Sequence, residues 1–337
     1  MRRNMKQWLK EYMEAPVKKA MPVLSFPGAV MMGKTVDELV RDGHLQALCM
    51  KTIADRFDAG VTFSLMDLSV EAEAFGSPVL YSKEEVPTVN GVLIGTEEEA
   101  EALRVPKVGE GRTGACVEGI RKACQLITDR PVLAGMIGPF SLAGRLTDMT
   151  EIMYLCFDEP DLVACLLNKA TEFLISYARA FKEAGANGIC MAEPAAGLLS
   201  PQLFDEFSKP YVQKIREAVE EEEFLMIYHN CGNIRPLYKN VSGIGACAYS
   251  VGNIVDMEQA LEALPEDAAV MGNIDPAGVF RNGDPKTVRE ETRKLLERCG
   301  GHKNFIISSG CDIPPLTPVE NIEAFFDTVA EYYRSRQ

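Results

Sequence analysis

The hydrophobic positions of the chain fall into short runs separated by longer amphipathic stretches. Each run is nearly free of charged residues, which is typical of a strand buried on both faces of a parallel sheet. We therefore predict eight strands. They are residues 21–26, 61–68, 131–138, 188–194, 224–230, 246–251, 269–274 and 304–310.

Helical patterns lie between these runs. The stretches 158–185 and 284–300 each begin with an aspartate near an N-cap position and end on a glycine suited to a helix C-terminus. Eight strand-then-helix units predict an α/β protein of the (β/α)₈ TIM-barrel type, in which helices cover the outer face of a parallel sheet. A doubly wound open sheet is the alternative, but the sequence has no GxGxxG after the first run.

Two segments depart from the alternation. Residues 1–16 form an amphipathic helical pattern without the apolar core and cleavage site of a secretion signal, so we predict an N-terminal helical extension. Residues 75–115 mix proline, glycine and acidic residues around a strand-like stretch at 89–95. We interpret them as an excursion over the barrel after strand two. One barrel domain is predicted to span residues 1–337.

Composition narrows the class of protein. Hydrophobic residues make up 47% of the 337 positions, and no apolar stretch is long enough for a membrane span, so we expect a soluble cytoplasmic protein without a membrane partner. The formal net charge of −14 argues against nucleic-acid binding, which needs clustered cations. The ten cysteines are expected to be reduced thiols, mostly in the core.

Polar residues end three of the predicted strands, where a barrel places its active site. His229 and Cys231 are two residues apart, so an extended chain presents both to the same side. Cys311 ends another strand. Two sulfurs and one nitrogen suit Zn²⁺, and three protein ligands leave a position for substrate, as in catalytic zinc sites. A chance HxC pattern in the core is the alternative interpretation.

Glu193 ends the neighbouring strand and is a candidate fourth ligand that leaves when substrate binds. Its alternative role is a hydrogen-bonded carboxylate at the barrel rim. The other two histidines are predicted to be surface residues. His44 follows Asp42-Gly, as in the DxHxxG motif of corrinoid-binding domains, but Ala47 occupies the glycine position. His302 lies in a glycine-rich turn.

The strand ends and their order resemble the uroporphyrinogen decarboxylase superfamily, specifically its methylcobalamin:coenzyme M methyltransferase branch. The similar motifs are Leu68–Gly76, Gly138–Gly144, Glu193-Pro194, His229–Gly232, Gly272–Pro276 and Gly310-Cys311. The resemblance implies a (β/α)₈ barrel that binds zinc through the histidine and the two cysteines. It also implies that an acidic residue completes the zinc shell until a thiol acceptor displaces it.

The decarboxylases of the superfamily resemble the chain only in part. They carry an arginine-rich MRQAGR segment after the first strand, where this chain reads SFPGAVMM from Ser25. Asp67 keeps the spacing of the decarboxylase aspartate, nine residues before Gly76, and is a candidate substrate-binding residue. Arg145, past strand three, is a candidate anchor for an acidic group on the acceptor, with a helix-surface salt bridge as the alternative.

The resemblance implies a mechanism. A free thiol has a pKa of about 8.5, and coordination to zinc deprotonates it while it stays nucleophilic. The thiolate would take the methyl group of a methylcobamide, supplied by a separate small corrinoid-binding protein because the chain has no corrinoid motif of its own. Three alternatives stay open: tetrahydrofolate as acceptor, decarboxylation of a tetrapyrrole, and a non-catalytic carrier or scaffold.

Overall fold

The computed structural model describes residues 3–336. Met1, Arg2 and Gln337, which belong to the predicted domain 1–337, lie outside the described residues, as does the start of the predicted N-terminal helix. The strands are β1 Thr62–Phe63, β2 Val79–Leu80, β3 Thr88–Val89, β4 Val132–Ile137, β5 Gly188–Ala192, β6 Leu225–Asn230, β7 Ala248–Val251, β8 Ala269–Ile274 and β9 Phe305–Ser309.

The helices lie between and around these strands. They are α1 Met5–Glu14, α2 Pro27–Met31, α3 Val36–Arg41, α4 Gly43–Arg56, α5 Val70–Phe75, α6 Glu97–Ala102, α7 Thr113–Leu126, α8 Pro139–Leu146, α9 Glu151–Asp158, α10 Pro160–Ala184, α11 Pro201–Phe207, α12 Lys209–Val219, α13 Tyr238–Ser242, α14 Met257–Ala263, α15 Pro285–Cys299 and α16 Val319–Arg334. Short 3₁₀ turns cover Pro194–Leu198 and Arg235–Leu237, and a π-helical turn covers Pro276–Arg281.

Seven parallel strands form the curled sheet in the order β1-β4-β5-β6-β7-β8-β9. An extended segment, residues 20–25, occupies the eighth place between β9 and β1. The Met21 amide donates to the Ile307 carbonyl of β9 at 3.0 Å, and the Gly60 amide, just before β1, donates to the Ala20 carbonyl at 2.9 Å. The TIM-barrel prediction is confirmed.

The first predicted strand, 21–26, is not a regular strand of this sheet, and the prediction was wrong there. Pro22 has no amide hydrogen to donate to a ladder. Serine hydroxyls take part of the ladder's place: Ser308 Oγ donates to the Met21 carbonyl at 2.8 Å, and the Val23 amide donates to Ser309 Oγ at 3.0 Å. The segment therefore closes the barrel through mixed side-chain and backbone hydrogen bonds.

Residues along each strand alternate between the barrel interior and the helix layer. Cys190 of β5 and Ile227 of β6 belong to the inner hydrophobic cluster, and their chain neighbours pack outward with the helices. Met5 and Leu9 of α1 pack into the inner cluster, so the N-terminal helix closes the end of the barrel where the strands begin. The opposite end, at the carboxyl ends of the strands, is called the mouth below.

The excursion after β1 contains the antiparallel β2–β3 hairpin and α6. The hairpin is held at the mouth: the Val36 amide donates to the Lys83 carbonyl at 2.8 Å, and Glu85 pairs with Arg281, beyond β8, at 2.7 Å. The strand-like stretch expected at 89–95 is a strand only at Thr88–Val89. The single-domain prediction stays a prediction. Across residues 3–336, every helix is too short or too polar to traverse a bilayer.

Candidate metal centre

His229 lies near the carboxyl end of β6 and points into the barrel. Side chains two residues apart on a strand point to the same side, and Leu225 and Ile227 line the interior, so His229 also faces inward. Its side chain is 1% exposed. Its Nδ1 lies 3.0 Å from Ser250 Oγ on β7, whereas its buried Nε2 has no hydrogen-bond partner within residues 3–336. A buried ring nitrogen without a partner is costly, unless a ligand such as a metal ion uses its lone pair.

Cys231 and Cys311 complete a three-residue cluster with His229. Their ligand atoms, two sulfurs and one ring nitrogen, all lie within 4.8 Å of one another. The Cys311 thiol lowers the pKa of Cys231 by donating a hydrogen bond to it, and the pKa of Cys311 itself is raised because it retains the proton. Thiolates are the form of cysteine that binds a metal ion, so a soft cation bound here would displace the protons of these thiols.

Two residues fix the turn that carries Cys231. Asn230 is the next residue of β6, so its side chain points to the opposite side of the strand from His229. Its Nδ2 donates to the Glu193 carbonyl at 2.6 Å, and its Oδ1 accepts the Gly232 amide at 2.8 Å. Gly252, after β7, lies against the Cys231 backbone so closely that an added Cβ would stand 2.4 Å from the Cys231 carbonyl oxygen. Any larger residue at position 252 would displace the cysteine.

The structure does not bring Glu193 into this cluster. Ile189, Met191 and Glu193 follow one another at intervals of two residues, so their side chains point to the same side of the chain. Ile189 and Met191 pack outward against the helices, and the Glu193 side chain therefore points away from the barrel interior. Its fully buried carboxylate accepts the amides of Phe140 and Ser141, at 2.7 and 2.9 Å, at the N-terminus of α8. Burial raises the pKa of Glu193 to about 7. This arrangement matches the hydrogen-bonded rim carboxylate described above as the alternative.

Asp67 is buried in an ion pair. Its Oδ2 pairs with Arg112 Nη1, and its Oδ1 accepts the amide and hydroxyl of Ser69 at 3.0 and 2.6 Å. Arg112 also holds Glu73, with its Nε 2.7 Å from the carboxylate. Both oxygens of Asp67 are therefore committed to protein groups.

Arg145, in the last turn of α8, is half-buried beside Asp67 and forms no hydrogen bond or ion pair with the rest of residues 3–336. The helix-surface salt bridge considered above is therefore not formed in the described part of the chain. His44 and His302 are exposed, as predicted.

Sequence reasoning missed Ser250, Asn230 and Arg112. Ser250 lies directly beside His229 in the β6–β7 register, and it faces inward like Ala248. The sequence shows a serine in the predicted strand 246–251, but it does not show the strand register that places this serine beside His229. Arg112 lies in the excursion, 45 residues from Asp67 in sequence, and no local pattern links the two.

The fold and the cluster define a class of protein: a (β/α)₈ barrel with a His-Cys-Cys cluster at its mouth that could hold a metal ion. The sequence profile of the family described as Uroporphyrinogen decarboxylase (URO-D) matches residues 10–332. The chain belongs to this family.

Individual relatives place the chain more narrowly. "Methylcobamide:CoM methyltransferase MtbA" of Methanosarcina acetivorans is 29% identical over 299 residues, 86% of each chain. A solved "methyltransferase from Methanosarcina mazei" superposes with a TM-score of 0.86 at 27% identity, covering 98% of each chain. A uroporphyrinogen decarboxylase of Prochlorococcus marinus is 31% identical over 210 residues, 60% of this chain and 58% of that protein. The chain belongs with the methyltransferase branch and is a methyltransferase.

Proposed function

We propose that the protein is a zinc-dependent enzyme that transfers a methyl group from a methylated corrinoid to a small thiol such as coenzyme M. A separate small corrinoid-binding protein presents the methylcobamide at the mouth. The relatives named methylcobamide:CoM methyltransferase support the donor and the acceptor, because one of them aligns with 86% of the chain. The donor set at the mouth supports the metal.

The observation that carries the proposal is the buried, unpartnered Nε2 of His229 facing two cysteine sulfurs. Imidazole nitrogen and thiolate sulfur are the preferred ligands of zinc, and three of them leave a fourth position for substrate. A bound zinc ion would supply Lewis-acid chemistry, lowering the pKa of a thiol in that position so that it is a thiolate at neutral pH.

The protein's own residues orient and enclose this site. If His229 Nδ1–H donates to Ser250 Oγ, the neutral ring presents its Nε2 lone pair to the metal. Asn230 and Gly252 hold Cys231 in place, as described above. In the reaction, the acceptor sulfur bonds to the methyl carbon while the carbon–cobalt bond breaks. The bonding electron pair stays on the corrinoid cobalt, and the thiol proton goes to solvent.

Glu193 could serve as a fourth ligand only after both of its hydrogen bonds to the α8 amides break. We therefore propose that the acceptor thiol takes the fourth position, with Glu193 anchoring α8. The cytoplasmic location and the docking of a corrinoid-binding protein stay predictions.

The proposal is tested by measuring zinc in the purified protein and in Cys311→Ala, with Cys299→Ala as a matched control because Cys299 is buried elsewhere. Demethylation of free methylcobalamin is then followed spectroscopically with thiols and with tetrahydrofolate. We expect about one zinc per wild-type and control chain, little in Cys311→Ala, and thiol-dependent demethylation that follows zinc content.

The alternatives give different results. Demethylation with tetrahydrofolate but not with thiols would establish the folate acceptor, and decarboxylation of a porphyrinogen would establish the decarboxylase. A zinc-loaded protein without turnover in any of these assays would favour the carrier or scaffold. A wild-type chain that lacks zinc yet matches the activity of Cys311→Ala would overturn the metal mechanism.

A further inference from the structure

The helix α9 presents two aromatic side chains to solvent. Tyr154 is 61% exposed and Phe157 is 72% exposed, whereas every other aromatic side chain of residues 3–336 is buried or half-buried. The two are three residues apart, so they lie next to each other on one face of the helix. Its other face, with Ile152 and Leu155, is buried. Single exposed apolar residues are ordinary, but an exposed aromatic pair on one helix face is typical of an interaction surface.

The surroundings of this pair are acidic. Residues 146–168 contain no lysine or arginine. Glu151 and Asp158 lie three residues before and four residues after Tyr154, on the same side of α9. The exposed acidic residues of the segment that form no ion pair within residues 3–336 are Glu151, Asp158, Glu159 and Asp161. Together with the two aromatic side chains they form a surface called the α9 face below.

The α9 face lies toward the mouth of the barrel. The preceding helix α8 begins directly after β4 ends, and its last residue, Leu146, accepts the amides of Leu93 and Ile94, both at 2.9 Å. These amides belong to the excursion, which is held at the mouth. The following helix α10 has 25 residues, and at about 1.5 Å per residue it is long enough to return the chain to the opposite end, where β5 begins.

Charge narrows what can cover the α9 face. A symmetric contact with a second copy would place each acidic set against its own equivalent, and the formal net charge of −14 adds to this repulsion. Nucleic acids and anionic lipid surfaces are repelled for the same reason. A protein surface with an apolar patch ringed by lysine and arginine is complementary both to the aromatic pair and to its acidic surroundings.

We propose that the α9 face is a docking surface for the protein that carries the methylated corrinoid to the mouth. The contacting surface of that protein is an apolar patch with a basic rim. This rests on the proposed function, because it takes the methyl donor to arrive on a separate protein. It adds where that protein makes contact and which charge its contact surface bears. Tyr154 and Phe157 are the anchors, because large aromatic side chains contribute most where they become fully buried in an interface.

The first test compares two methyl donors in the thiol-dependent assay. One is a methylated corrinoid-binding protein purified from the same organism, and the other is free methylcobalamin. The combined variant Tyr154→Ser/Phe157→Ser should raise KM for the protein donor roughly 10- to 100-fold and leave KM for free methylcobalamin unchanged. Leu126→Ser is the matched control, because Leu126 is 41% exposed at the end of α7, on the side where the strands begin, and neither KM should change.

The second test examines charge. Asp158→Lys/Glu159→Lys should raise KM for the protein donor about tenfold at low salt, and the difference from the wild type should shrink as salt screens the charges. Glu266→Lys/Asp267→Lys makes the same change in charge at two exposed positions before β8, at the far end of the barrel, and should have no effect. Equal effects of the two charge variants would contradict a local contact at α9.

The two proposals can fail separately. If the wild type demethylates neither donor, the proposed function fails, and calorimetric titration of the corrinoid-binding protein into the wild type and the Tyr154→Ser/Phe157→Ser variant still decides the docking. If both donors react in the wild type and the variant keeps the same KM for the protein donor, methyl transfer stands and the docking surface is refuted. An equal rise in KM for both donors would show a merely structural role and overturn the proposal. So would a wild-type dimer, measured by sedimentation, that dissociates in the variant.

Discussion

Replacing Glu71 with glutamine removes a titratable group from the buried region beneath the mouth. Glu71 is 1% exposed; its Oε1 accepts the Ile137 amide at 3.1 Å, and its Oε2 has no partner among residues 3–336. Burial raises the pKa of Glu71 from its ordinary value of 4.5 to about 8. The side chain is therefore a neutral acid at pH 7, and glutamine reproduces its shape and its accepting oxygen.

The magnitude follows from proton linkage. The folded protein binds this proton more tightly than the unfolded chain, so the free energy of unfolding falls as pH rises from 4.5, the ordinary pKa, to about 8, the folded one. Each pH unit in that window costs about 1.4 kcal/mol, and the full penalty above it is about 5 kcal/mol. Between pH 5.5 and 7.5 the wild type should lose ~2.5 kcal/mol that Glu71→Gln does not lose.

Urea unfolding at these two pH values measures the effect. The quantity of interest is the stability of Glu71→Gln relative to the wild type, because the other titrating groups are common to both chains and cancel. Glu98→Gln, at an exposed position of α6, is the matched control and should show no pH-dependent difference. A relative stability of Glu71→Gln that is the same at both pH values would refute the assignment of a neutral buried acid.

Three further substitutions test the site. Ser250→Ala removes the hydroxyl beside His229 Nδ1 and should weaken zinc binding roughly 10- to 100-fold in a chelator competition; equal weakening in the exposed control Ser176→Ala would contradict this. Glu193→Gln should retain about one zinc per chain by metal analysis, and loss of the metal would instead make Glu193 a ligand. Arg112→Gln leaves Asp67 buried without its counterion and should cost about 3–5 kcal/mol in urea unfolding, partly restored by adding Asp67→Asn. A cost below about 1 kcal/mol for Arg112→Gln would show that the ion pair is dispensable.

The sequence was sufficient for the features that depend on residues close together in the chain. Apolar runs and amphipathic stretches alternate on the scale of single elements, so they predicted the barrel and helices such as α15, whose N-cap Asp284 accepts the Thr287 amide at 2.7 Å. The i, i+2 spacing of His229 and Cys231 likewise predicted that the two would share a side. Cys311 could be added because all barrel strands end at one mouth.

Glu193 shows where this reasoning could have gone further. Cys190 and Ala192 face the interior, and Glu193 is an odd number of residues from each, so its side chain must point to the other side. The sequence gives this result once one residue of the strand is known to point inward. The sequence alone does not identify an inward-pointing residue, because both faces of β5 are buried and all five of its residues are uncharged and apolar or small.

The tertiary structure decided the pairings between distant residues. Ser250 orients His229 because the β6–β7 register places them side by side, and Arg112 neutralises Asp67 because the excursion folds back over β1. The same pairing leaves Arg145 without a counterion. Strand register and the pairing of distant charges depend on which groups come together in the folded protein. Hydrophobic periodicity in the sequence indicates only which face of a helix or strand is buried. The sequence could thus single out His229, Cys231 and Cys311 as candidate ligands that the structure brings together, but it could not identify the residues that orient them.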